Sequence, residues 1–157
     1  MGQSGFAQKG GAGKLTSEGI PEGWVRRSGK AFRTHVGPFY CPPGDEKLGF
    51  GFLADERHGN KRGVVHGGML ATAFDVVLGE ACWEASKQRP CATVQLNVHY
   101  VGAVQLGEFA FVQPELIRAT RSMVFLRGVM TVGDRIVATA DGVWKILQWR
   151  GEAYSAS

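Results

Sequence analysis

A chain of 157 residues with 44% apolar side chains has the size and composition of one ordinary domain with its own core. The net charge of +4 is modest and the basic residues are dispersed, which argues against a nucleic-acid binder. Cys41, Cys82 and Cys91 are odd in number and lack CxxC spacing, so neither a disulfide framework nor a zinc site is expected; without a leader-like apolar run at the start, the expected compartment is the cytoplasm.

Residues 1 to 16, rich in Gly, Gln and Lys, are expected to be flexible, residues 17 to 150 to form the single domain, and residues 151 to 157 to be a tail. Between Ser17 and Arg27 the chain is read as a short helix, with Pro21 in its first turn and Trp24 and Val25 on its buried side. Phe32 to Tyr40 reads as extended, broken at Gly37-Pro38, and Cys41 to Asp45 as a turn. Large and small residues alternate from Leu48 to Ala54, a strand with Leu48, Phe50 and Phe52 on one face. A polar loop with Arg57, His58, Asn60, Lys61 and Arg62 leads into a long helix that ends near Lys87 to Pro90.

Four strands follow. Ala92 to Val101 alternates, with Val94, Leu96, Val98 and Tyr100 on one face and Thr93, Gln95, Asn97 and His99 on the other. Gly107 to Ile117 carries Phe109 and Phe111 in phase. Met123 to Val132 and Ile136 to Gln148 form a hairpin through Gly133-Asp134, with Ile136, Ala138, Ala140, Gly142, Trp144 and Ile146 on one face. An α+β arrangement follows, a curved antiparallel sheet around one helix.

The helix carries the chemistry. From Met69 to Trp83 nearly every position is apolar or small, the pattern of a helix buried all round, yet it is too short and too charged to span a membrane. Asp75 sits in its middle, and a buried carboxylate costs several kcal/mol unless it is paired or kept for chemistry. Just upstream, His66-Gly67-Gly68 brings two glycines to the helix start, where backbone N–H groups lack helical acceptors and the dipole is positive. Gly67 and Asp75 are eight residues apart, roughly 12 Å along a helix axis. One small group cannot touch both on one helix, so a joint action requires two chains with antiparallel helices across a two-fold axis.

The set Asn60, His66-Gly67-Gly68 and Asp75, followed by the alternating strand Thr93 to Tyr100, resembles the hotdog-fold acyl-CoA thioesterases of the PaaI-like, phenylacetate-degradation group, over about Phe32 to Leu147. The resemblance implies a six-stranded antiparallel sheet wrapped round one long central helix. It implies a homodimer with a continuous sheet, paired further into a homotetramer. Coenzyme A enters as part of the substrate; no separate cofactor, metal, nucleic acid or membrane is implied. Carried over by position, Asp75 is the catalytic nucleophile or general base, and Gly67 supplies the N–H that polarises the thioester carbonyl from the partner chain. Asn60 orients the carbonyl or the water, Thr93 positions the water, and His66 supports the loop or the carbonyl. Gly68, Arg62, Arg118 and Arg121 are the substrate-binding candidates, with Lys61 as a helper. Gly79 stands where some relatives carry a hydroxyl one turn after the acid, so that duty falls to Thr93.

Two other readings stay open. A hotdog-fold hydratase or dehydratase would pair an acid with a histidine, but no Asp-x4-His spacing occurs around Asp75. A non-catalytic acyl-CoA-binding module would not need Asn60, Gly67 and Asp75 together. Trp83, Trp144 and Trp149 read as packing or interface residues and His35 and His99 as structural, while Glu80, about 140° round the helix from Asp75, is expected to face an interface or solvent.

Overall fold

The computed structural model describes residues 13–44 and 49–148. Short elements come first: β1 (Val25–Arg27), α1 (Phe32–Val36), β2 (Phe39–Cys41) and β3 (Phe50–Leu53). A single 3-10 turn over Glu56–His58 then leads to the long helix α2 (Gly67–Ala85). Four long strands complete the chain: β4 (Cys91–Tyr100), β5 (Phe109–Ala119), β6 (Met123–Val132) and β7 (Arg135–Ile146). All seven strands join one sheet in the order β1-β2-β3-β5-β6-β7-β4, every neighbouring pair antiparallel. β4 therefore lies at one edge, although it precedes β5 in the chain.

The α+β class and the sheet around one long helix are as the sequence reads, but the described residues form seven strands, not six. The additional strand is β1, in the stretch expected to be helical. Gly19 and Gly23 take φ of +82° and +80° there, which no right-handed helix accommodates. Trp24 is half-buried, packing edge-on against Phe109 at 5.1 Å and Phe111 at 5.2 Å, while Val25, expected on the buried side, is exposed. Phe32–Val36 is a short helix rather than an extended segment. Leu48, Trp149 and the tail lie outside the described residues, as does most of the N-terminal segment.

Helix α2 sits on the sheet through Met69, Leu70, Ala73, Phe74, Val77, Leu78 and Cys82, all buried. Spacings of one, three and four residues place them on one stripe. Burying each large apolar side chain stabilises by roughly 1.5–3 kcal/mol. Gly128 of β6 makes room for the closest approach, because a Cβ there would stand 3.2 Å from Leu78 and 3.4 Å from Phe74. The helix is not buried all round: Gly68, Asp75, Trp83 and Glu84 are exposed, and Ala71, Val76 and Gly79 only partly covered. Its second face is apolar in composition but is not covered by its own chain.

Of three β-bulges among the described residues, one lies between Leu116 and Arg118 of β5 and the other two shift the phases of β4 and β7. Between Thr93 and Gln95 the pairing of β4 with β7 skips Val94, which is left 59% exposed instead of facing inward with Leu96 and Val98. Between Met130 and Thr131 the β6–β7 register also slips, so Ile136 is exposed while Val137 and Ala138 are buried. From Ala138 to Ile146 the expected inner face holds, with Trp144 among the largest fully buried side chains.

Candidate functional site

The start of α2 is built by His66. With ψ of 136° it is the non-helical cap, and its Nδ1 accepts the Gly68 N–H at 2.8 Å. In the neutral ring the hydrogen is then on Nε2. Gly68 cannot be enlarged, since a Cβ would stand 2.9 Å from His66 Nδ1. Gly67 occupies the first helical position, where the N–H has no helical acceptor. Its carbonyl accepts the Tyr100 hydroxyl hydrogen at 3.1 Å, and a Cβ there would stand 3.4 Å from the Tyr100 ring.

The entry loop is closed by Asn60. Its N–H donates to Val64 O at 2.8 Å, its carbonyl accepts from Gly63 N–H at 3.0 Å, and its Oδ1 accepts from Arg62 N–H at 2.7 Å. The amide oxygen is thus engaged within the loop, leaving the Nδ2 hydrogens as the donors it can offer a ligand. Asn60, Lys61, Arg62 and His66 line one open hollow with Gly59.

Asp75 lies farther along the same helix. The Thr93 hydroxyl of β4 donates to its Oδ1 at 2.8 Å, so the acid and the strand hydroxyl picked out from the sequence do meet. The carboxylate is exposed in the single chain, not buried. The start and the middle of α2 are therefore braced on β4 by two side chains, Tyr100 at Gly67 and Thr93 at Asp75, and the two groups stay about 12 Å apart along the axis.

The basic candidates do not converge within one chain. Arg62 is on the Asn60–His66 loop, whereas Arg118 and the turn with Arg121 lie across the sheet from it. The row Thr93–Trp144–Val124–Ala119 puts that end of β5 level with Thr93. Glu80, expected at an interface or in solvent, instead pairs with Arg33 of α1. Burial, together with neighbouring Cys91, pushes the Cys82 thiol up to about 12, so it stays protonated and is no nucleophile. Arg57 donates to Asp55 and holds its carboxyl below the usual carboxylate range.

Two residues at the helix start were not legible as site components. Tyr100 read only as part of an alternating strand, and His58 as one more polar loop residue. Among the described residues, no group of three or more His, Cys, Asp or Glu could hold a metal, and no helix is long and apolar enough to cross a membrane.

Comparison with known proteins adds independent information. Residues 62–140 match the model of the Thioesterase superfamily. The Pseudomonas aeruginosa protein PA0474, called an esterase by name, is 32% identical over 113 residues, 71% of this chain and 84% of that one. Mouse acyl-coenzyme A thioesterase 13 is 28% identical over 80 residues, 51% of this chain, and the match spans only 57% of the mouse protein. The solved structure of the E. coli PaaI protein from the phenylacetic acid degradation operon superposes with a TM-score of 0.60 at 13% identity, covering 64% of this chain and 72% of that one, a likeness of fold.

Proposed function

The chain belongs to the thioesterase superfamily, a family of thioester hydrolases, and on that premise we propose that it cleaves acyl- or aroyl-coenzyme A thioesters at a site completed by a second copy of itself. The observation that carries this reading is the Thr93–Asp75 hydrogen bond at one end of an open strand edge, with the Gly67 donor braced by Tyr100 at the other. β4 is ten residues long and has a neighbour on one side only. Such an edge presents unpaired N–H and C=O groups and invites a second strand. Antiparallel pairing of β4 with its copy would bring Asp75 of one protomer toward Gly67 of the other and cover the apolar second face of α2. The name of the mouse relative supports a coenzyme A thioester as substrate.

In this mechanism the thioester carbonyl oxygen lies against the Gly67 N–H, and the donor and helix dipole stabilise the negative charge that develops there, an effect worth about 3–4 kcal/mol for one good donor. Asp75 either attacks the carbonyl carbon or takes a proton from an attacking water, while the Thr93 hydroxyl fixes its orientation. The carbon–sulfur bond breaks and coenzyme A leaves as a thiolate, which needs no strong acid; on the first route a water then hydrolyses the mixed anhydride formed with Asp75, releasing the acid and restoring the carboxylate. Asn60 and His66 Nε2–H offer further donors to the carbonyl or the water. Arg62 and, from the partner's side, Arg118 and Arg121 draw the phosphates. Pairing into a dimer, and of dimers into a tetramer, belongs to the same proposal.

The test is release of free thiol across a panel of acyl- and aroyl-coenzyme A esters, with sedimentation to give the number of chains. Asp75→Asn should lose activity by a hundredfold or more, on the order of the cost of removing a group that acts in the reaction. A variant as fast as wild type would refute the assignment of Asp75; full activity in a monomer would refute the two-chain site.

A further inference from the structure

His58 is one of two polar residues buried among those described, and its ring is fully used. Nδ1 accepts the Asp55 N–H at 3.1 Å, and Nε2 lies 2.9 Å from the carbonyl of Val36, an acceptor only, so Nε2 carries the hydrogen. The ring stands edge-on to Phe52, with centroids 5.4 Å apart. Three directions are thereby fixed: toward the 3-10 turn, toward the end of α1 and toward β3. The carbonyl of the same residue accepts the His66 N–H at 2.7 Å. His66 in turn caps α2 through Nδ1 and accepts from Met69 N–H through its own carbonyl at 2.9 Å.

We propose that His58 is a positioning residue for the Gly67 donor, its doubly anchored ring fixing the carbonyl from which His66, and hence the Gly67 peptide, is hung. The proposal rests on the reading of Gly67 as the oxyanion donor. Packing alone does not call for an imidazole here. An apolar side chain would fill the space without the cost of burying two polar ring atoms, a cost removed only because both are hydrogen-bonded. What the imidazole adds is direction. Two hydrogen bonds of opposite sense, on opposite sides of one rigid ring, leave the residue a single orientation, and therefore leave its carbonyl a single position. Tyr100 braces the Gly67 carbonyl, part of the following peptide, from the β4 side, so the residue that carries the donor is held from both flanks.

Two variants divide the ring's functions. In His58→Asn the amide oxygen takes the place of Nδ1 and keeps the Asp55 N–H; in His58→Gln the amide nitrogen takes the place of Nε2 and keeps the Val36 carbonyl. Each should lower kcat by about tenfold to a hundredfold with KM nearly unchanged, since misplacement by about 1 Å costs on the order of a hundredfold. Because His58 acts through His66, the double variant His58→Asn/His66→Ala should be no slower than His66→Ala alone, a non-additivity expected of residues in one chain of contacts. In NMR spectra the amide signals of Gly67 and Gly68 should shift in both variants while those of Asp75 and Thr93 stay in place. Additive losses, or unmoved Gly67 and Gly68 signals, overturn the proposal. If wild type cleaves no thioester, the reading of the site fails, and the NMR comparison still decides the role of His58. Should neither variant fold, a coupling across the hydrogen bond between the His58 carbonyl carbon and the His66 amide nitrogen of wild type supports it, and absence of that coupling overturns it.

Discussion

Replacing Thr93 by Val removes one hydroxyl and little else. The side chain keeps its shape, and the 2.8 Å hydrogen bond to Asp75 Oδ1 is lost. A hydrogen bond to a charged group contributes roughly 1.5–3 kcal/mol. Thr93 and Asp75 are both exposed in the single chain, so the lower end applies, about 1.5 kcal/mol. If the bond orients the carboxylate for the reaction, that corresponds to about a tenfold loss in kcat, at roughly 1.4 kcal/mol per factor of ten. The assay is initial-rate thiol release from the best ester of the panel, with thermal unfolding measured alongside; the melting temperature should fall by no more than about 3–6 °C, at roughly 2–4 °C per kcal/mol, so the folded fraction at assay temperature is unchanged. Thr93→Ser restores the donor and should restore most of the rate. Equal rates for Thr93→Val and wild type, or a Thr93→Ser variant as slow as Thr93→Val, would refute the argument that the hydroxyl hydrogen aims the acid.

Further outcomes concern stability. Phe74 is fully buried between α2 and the sheet, so Phe74→Ala should destabilise by about 3–5 kcal/mol in denaturant unfolding; a cost below about 1 kcal/mol would contradict the packing described. Asp55, whose carboxyl is held low chiefly by the Arg57 hydrogen bond, contributes stability that is fully present above its ordinary value of 3.8 and is lost as pH falls through its lowered folded value. Melting curves of wild type and Asp55→Asn should therefore differ near neutrality and converge in acid, and a gap that widens on acidification would be the wrong sign.

Much of the second half of the chain was legible because each long strand shows one inner face and its hairpin turn is a Gly-Asp pair, with Gly133 at φ of +55°. Residues 13–41 were harder. Their elements are three to five residues long, too short for any period, and the two positive-φ glycines speak only once the backbone is seen. Bulges escaped for a different reason: the slip at Val94 is decided by its partner strand, where Gly142 lets the Gln95 carbonyl approach a space that a Cβ would enter at 2.7 Å. Asp75 and Thr93 were both singled out in the sequence, Thr93 through the resemblance and as a residue for positioning water, and the hydrogen bond between them was not foreseen; the burial inferred for Asp75 is absent in the single chain. Apolar composition around a helix does not say which faces its own chain covers. Nor could spacing reveal that Asn60 spends its amide oxygen on Arg62, or that His58 reaches back 22 residues to Val36.

The hydrogen-bonded cap at the start of α2 also divides labour between two side chains. A neutral imidazole whose basic nitrogen already holds the Gly68 amide has only a hydrogen to offer and no lone pair to spare. Collecting a proton there would mean releasing the first turn of the helix, and with it the geometry of the neighbouring peptide. In the proposed mechanism His66 can steady a carbonyl, and any proton taken from an attacking water falls to the carboxylate nine residues further along the chain.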